Sequence, residues 1–269
     1  MMKKWAIAAI VYVLVLMGGF TAYEQFFTKD SEASSHKMSD AKHDATNEHE
    51  HEGGDETTSE VKTNFVYDKG KIIIQITDKD GKAVDQLKVN HEKLLHLIVV
   101  DDHLDQYYHL HPKKVEQGKF EISHSFKDGS YKAFVDIKPE NLSYHVTPIS
   151  FTVGKQQESH SHAQLQAEEI FTKTIDGKNV EMVLSAQEAG KPVTLKFNLD
   201  QSTLEPYLGA AGHVVILDEA ANQYLHVHPH NEQEPIFETE FAKPGIYKIW
   251  AEFKQEGKVR VFPFVIKVK

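Results

Sequence analysis

An all-β chain of two tandem antiparallel sandwiches of immunoglobulin-like type is what this sequence predicts, and three observations carry the prediction. A long internal repeat divides the 269 residues into two similar halves. Short apolar, β-branched and aromatic runs recur at roughly 10–15-residue intervals between turn signals. No long helical periodicity follows the apolar run at the N-terminus.

The repeat is anchored on His96-Leu-Ile-Val-Val-Asp-Asp-His-Leu-Asp-Gln-Tyr-Tyr-His109-Leu-His111-Pro112. Its second copy is His213-Val-Val-Ile-Leu-Asp-Glu-Ala-Ala-Asn-Gln-Tyr-Leu-His226-Val-His228-Pro229. The offset of 117 also carries Phe120 onto Phe237. After a one-residue slip, Gly129-Ser-Tyr-Lys-Ala-Phe-Val-Asp136 aligns with Gly245-Ile-Tyr-Lys-Ile-Trp-Ala-Glu252. Each half is long enough to bury a core of its own.

In chain order, Met1-Met-Lys-Lys precedes an apolar run over 5–20. That run reads as an uncleaved signal-anchor helix within 1–27, with Lys3 and Lys4 on the cytoplasmic side. Secretion after signal cleavage is the alternative. Residues 28–60 carry ten acids, three lysines and almost nothing apolar, and read as a disordered tether. Within it, His36, His43, His49 and His51 lie among carboxylates that bind divalent ions loosely.

The first sandwich is expected over 61–154. Its strands fall near 64–67, 71–76, 85–89, 94–100, 106–110, 118–123, 129–137 and 149–153, with Asp78-Lys-Asp-Gly81 as a turn. Residues 155–166 are polar and read as a linker, where His160 and His162 repeat the histidine theme. The second sandwich, 167–269, has strands near 168–174, 179–186, 193–199, 236–241, 245–253 and 260–268 around the second hairpin. A short helical turn is expected within 202–208.

Composition narrows the chemistry. With no cysteine there is no disulfide, Zn-thiolate cluster, Cys nucleophile or thiolate copper centre. A formal charge of −10 and a single arginine, Arg260, argue against a nucleic-acid partner. Nucleophilic triads, phosphate-cradling glycine loops and paired catalytic carboxylates are not visible.

The histidines remain. Folding the hairpin about its turn pairs position 96 with 109 and 213 with 226, and His111 and His228 share a face with their neighbours two residues back. Three imidazoles per half, His96, His109, His111 and His213, His226, His228, then lie within reach of one ion. Such a donor set suits Cu²⁺ or Zn²⁺. The plainer alternative is that these are structural histidines of a cell-surface interaction module. A third reading is a cupin-like metalloenzyme, since His109-x-His111-x₄-Glu116 and His226-x-His228-x₃-Glu232 match part of that family's motif. The glycines that bracket the cupin motif are missing from both copies.

The paired hairpins, each followed by Gly-x-Tyr-x-x-[Phe/Trp], resemble exported bacterial proteins with immunoglobulin-like sandwiches found beside copper and heavy-metal handling systems. The late Gly-x-Tyr strand is similar to that of YtkA-like/FixH-like domains. The resemblance covers roughly 70–154 and 190–268 and implies fold, export and a metal context, but no site residues. Taken together, the expectation is a single-pass plasma-membrane protein whose C-terminal domains lie outside the cytoplasm. It would bind divalent metal there for buffering or delivery, with a membrane metal transporter as the partner that role points to.

Overall fold

The computed structural model describes residues 59–155, 164–227, 229 and 233–269. The anchor expected at 1–27 lies outside the described residues. So do nearly all of the tether with His36, His43, His49 and His51, and also His160, His162, His228 and Glu232. Every strand among the described residues lies within the unit Glu50–Lys269. Among the described residues no helix is long and apolar enough to cross a membrane.

The first half contains β1 (Val61–Asp68), β2 (Lys71–Asp78), β3 (Leu87–Lys88), β4 (His96–Asp101), β5 (Tyr107–Leu110), β6 (Lys113–Glu116), β7 (Lys119–Ser123), β8 (Gly129–Asp136), β9 (Lys138–Pro139) and β10 (Ile149–Val153). One sheet has the order β1-β2-β7-β6 and the other β10-β8-β4-β5, while β3 and β9 form a small ribbon. The second half contains β11 (Thr172–Ile175), β12 (Lys178–Leu184), β13 (Pro192–Asn198), β14 (Leu204–Glu205), β15 (His213–Asp218), β16 (Tyr224–Val227), β17 (Ile236–Glu240), β18 (Gly245–Gln255) and β19 (Lys258–Val268). There β11-β12-β13-β17 faces β14-β18-β15-β16, and β19 pairs with β18.

Period-2 alternation builds each core. In β2, Ile72, Ile74 and Ile76 point inward against Leu97, Val99, Tyr131, Ala133 and Val135 of the opposing sheet. The second half repeats this with Val193, Leu195 and Phe197 against Val214, Ile216, Ile249 and Ala251. Each Gly-x-Tyr motif closes a corner: Tyr131 Oη donates to the Lys127 carbonyl at 3.0 Å and Tyr247 Oη to that of Lys243 at 2.7 Å.

A third apolar cluster joins the halves. β4 and β15 are buried on both faces, which is why each reads as an unbroken apolar run. Their other faces, Ile98 and Val100 against Val215 and Leu217, meet between the sandwiches together with Leu104, Phe134, Ala221 and Trp250. Across this seam Tyr107 stacks on Trp250 with ring centroids 4.9 Å apart, and Tyr224 stacks on Phe134 at 5.1 Å. Lys132 Nζ donates to the Ala220 carbonyl at 2.6 Å, and Lys248 lies 3.6 Å from Asp105. The contacts are reciprocal, as in a two-fold interface formed by the two repeats of one chain.

Three local expectations need correction. β6 was not expected, because Lys113–Glu116 is exposed throughout and carries no apolar alternation. The strand expected at 85–89 shrinks to Leu87–Lys88. The helical turn expected within 202–208 is a 3₁₀ turn at Gln201–Thr203, capped by Asp200, whose side chain accepts from Ser202 N–H at 3.0 Å.

Candidate metal centre

The two hairpins are set by one acid each. Asp101 Oδ1 accepts from Gln106 N–H at 2.7 Å, and Leu104, with φ of 58°, takes the left-handed turn position. Asp218 Oδ1 likewise accepts from Gln223 N–H at 2.8 Å, with Ala221 at φ 49°. These turns place Ile98 opposite His109 and Val215 opposite His226. The expected pairing of 96 with 109 and of 213 with 226 is therefore two residues out of register. A shift of two preserves the face, so the histidines still share one side of their sheets.

That side faces the other sandwich. His96 and His109 of the first half and His226 of the second bring one ring nitrogen each within 4.8 Å of one another. The His96 and His226 rings lie 5.1 Å apart, those of His109 and His226 5.6 Å, and those of His213 and His226 5.7 Å. His111 packs 4.6 Å from His109 and 5.0 Å from His96. Of the two triads expected from sequence, His96, His109, His111, His213 and His226 thus form a single cluster across the domain seam, and His228 lies outside the described residues.

Hydrogen-bond partners fix the tautomers. A carbonyl oxygen only accepts, so the Asn90 carbonyl 2.9 Å from His96 Nε2 puts the proton there and leaves Nδ1 as a lone pair. The Tyr207 carbonyl, 3.0 Å from His213 Nε2, does the same for that ring. Both carbonyls come from equivalent tight turns, bridged Asn90 to Lys93 and Tyr207 to Ala210. His109 Nδ1 donates to Glu252 Oε2 at 2.6 Å and His226 Nδ1 to Asp136 Oδ2 at 2.7 Å. The phenol of Tyr224 also donates to Asp136, at 3.1 Å.

His96 Nδ1 and His109 Nε2 then face each other at 2.8 Å. His213 Nδ1 and His111 Nε2 are buried with no hydrogen-bond partner among the described residues. Burial, then the charge of His109, lowers the pKa of His96, and burial with His226 lowers that of His213. Burial and His109 hold His111 at about 3 and push His226 well down. The half-buried Tyr107, whose hydroxyl is out of solvent, has its phenol pushed up by burial and by the charge of Glu252.

Three functional residues were missed in the sequence. His91, at φ 46°, adds a ring 5.2 Å from His213, but Leu208 holds its place in the other copy. Asp136 and Glu252 aligned in the repeat, and that shared acid was the available signal. Conversely Glu116 stays on the exposed β6, 3.3 Å from Lys119 Nζ, so the cupin-type carboxylate is not part of the first-half site.

A family model described as a domain of unknown function (DUF8832) matches residues 41–156 and again 173–269. No curated protein matches significantly. Among solved structures, an Escherichia coli adhesin aligns at 11% identity and a TM-score of 0.24, covering 79% of this chain and 65% of the adhesin, less than two thirds of its length. A two-domain fibronectin type III segment of chicken tenascin aligns at 7% identity and a TM-score of 0.26, covering 77% of this chain and 98% of the segment. A BSP domain of a biofilm-associated protein aligns at 12% identity and a TM-score of 0.22, covering 78% of this chain and 30% of its own. Likeness at that level carries no functional argument.

Proposed function

We propose that this chain, which belongs to the family of a domain of unknown function (DUF8832), binds one divalent transition-metal ion between its two sandwiches and acts as a non-enzymatic metal buffer or delivery protein. The observation that carries this reading is the convergence of imidazole nitrogens from both halves, one each from His96, His109 and His226 within 4.8 Å of one another. On these three rings the opposite nitrogen is tied to the Asn90 carbonyl, Glu252 or Asp136, so His96 Nδ1, His109 Nε2 and His226 Nε2 are the nitrogens that would ligate the ion. His96 Nδ1 and His109 Nε2 already lie 2.8 Å apart. Nitrogens bound to one ion at about 2.0–2.1 Å lie roughly 3 Å apart as neighbours in its shell. An all-imidazole donor set with no thiolate fits Cu²⁺ or Zn²⁺ rather than Cu⁺ or Mg²⁺.

The wider setting belongs to the same proposal. The strand order and the two tyrosine corners support an immunoglobulin-like reading of each sandwich. The N-terminal apolar run and the His- and acid-rich stretch before Glu60 support an anchored protein that gathers ions outside the cytoplasm and passes them to a membrane transporter.

The test is metal analysis of residues 61–269, purified without a His-tag, against the His109→Ala/His226→Ala double variant. About one equivalent of Cu²⁺ or Zn²⁺ in the parent and none in the variant is expected. Near-zero occupancy in both removes the proposal.

A second reading rests on a different observation: His109 and His226 also tie the halves together through Glu252 and Asp136. In that reading the histidines are fasteners of a cell-surface interaction module. Titration with Cu²⁺ or Zn²⁺ that leaves thermal stability unchanged favours it.

A further inference from the structure

Each acid at the centre serves the opposite domain. Asp136 ends β8 of the first sandwich, beside His96 in the sheet register, yet its carboxylate accepts from His226 of the second. Glu252 sits in β18 beside His213, yet its carboxylate accepts from His109 of the first. These are equivalent positions of the repeat, so the exchange runs both ways. Both acids are buried, Asp136 at 8% and Glu252 at 3% exposure. A carboxylate removed from water needs compensating donors, and each finds one in an imidazole N–H from across the seam.

From this geometry we infer that Asp136 and Glu252 are positioning residues, exchanged between the two domains, that hold His226 and His109 in the tautomer and orientation a metal ion requires. The inference rests on the metal-binding reading above and assigns it a regulatory property. A carboxylate behind a ligating imidazole fixes the ring, raises its basicity and strengthens its bond to the ion. Here that support exists only while the two sandwiches are docked. Ion affinity and domain docking are therefore linked, and whatever parts the domains weakens the site by the factor with which the ion resists parting. A partner that pries at the seam would release the ion, without competing for it ligand by ligand.

The experiment is calorimetric titration of the full chain with Cu²⁺, and separately with Zn²⁺, in the parent and in Glu252→Gln, Asp136→Asn and Glu252→Asp. The tightest site should keep its stoichiometry of about one while its affinity falls about 10–100-fold in each carboxamide variant. Glu252→Asp should recover part of the loss, and the ion-free thermal midpoint of the parent serves as the control for a purely structural role. Unchanged affinity in both folded carboxamide variants overturns the inference and leaves the metal reading intact. A parent that binds neither ion at the seam overturns both. Should the carboxamide variants not fold, Tyr224→Phe decides: it removes one hydrogen bond to Asp136 and should weaken binding about threefold. Parent-like affinity in that variant overturns the inference.

Discussion

Asp136 accepts the Nδ1 hydrogen of His226 at 2.7 Å, a bond between a strand end of one sandwich and a hairpin of the other, ninety residues apart in sequence. Its effect is to turn a pair of β-sandwiches with separate cores into one unit with a polar centre under an apolar seam. The chemistry of the centre then depends on packing between domains as much as on the histidines.

Acid should weaken the fold before it damages either core. His91 and His111 are held at about 4 and about 3 by burial first, then by His96 and His109 respectively, against an ordinary value of 6.5. Between pH about 6.5 and about 3 the unfolded chain takes up protons that the folded chain refuses. Stability is therefore full above pH 6.5 and lost as pH falls through that window. Thermal midpoints measured from pH 7.5 to 4 should decline, and His111→Phe should flatten the slope. A flat profile in the parent would contradict the assignment.

A divalent ion at the seam should raise stability by mass action. At a free concentration about 100 times Kd the gain is about 2.7 kcal/mol, if the unfolded chain does not bind the ion. Differential scanning calorimetry of parent and His96→Ala with Cu²⁺ or Zn²⁺ should show an upward shift in the parent alone. His103→Ala, altered in a turn outside the cluster, should shift like the parent.

Phe237 is fully buried in the second core, edge-on to Phe197 at 5.6 Å. Phe237→Ala should cost about 3–5 kcal/mol in chemical denaturation. Loss below about 1 kcal/mol would mean the core closes over the cavity.

Gly212 precedes His213 where β15 meets β18. A Cβ there would lie 2.6 Å from the Phe253 ring and 2.7 Å from the Glu252 carbonyl. Gly212→Ala should destabilise by about 1–3 kcal/mol through overpacking. Because the displaced backbone carries Glu252, metal affinity should fall as well. An alanine variant with parent stability and affinity would show that this approach has slack.

Much of this was legible in the chain. The repeat at offset 117 announced two sandwiches, and the hairpin histidines announced a shared face, because side-chain parity survives a shift of two residues. The register itself was not legible, since it depends on Asp101 and Asp218 bonding the far end of each turn. Nor was the meeting of histidines from both hairpins in one cluster: no local pattern states which sheet faces which. The double-sided burial of residues 96–100 and 213–217 was the clue, for an unbroken apolar run asks for cover on both sides. His91 escaped because it works from a left-handed turn residue in one copy only.

β4 divides its alternate residues between two masters: Leu97 and Val99 fill the first sandwich, while His96, Ile98 and Val100 look across to the second. Inserting or deleting a single residue within this strand would reverse those assignments at one stroke. An imidazole would be driven into hydrocarbon, and aliphatic side chains would be set where nitrogen is wanted. Length variation in such a protein is thus confined to its loops, and His96–Asp101 and His213–Asp218 are the segments least able to tolerate it.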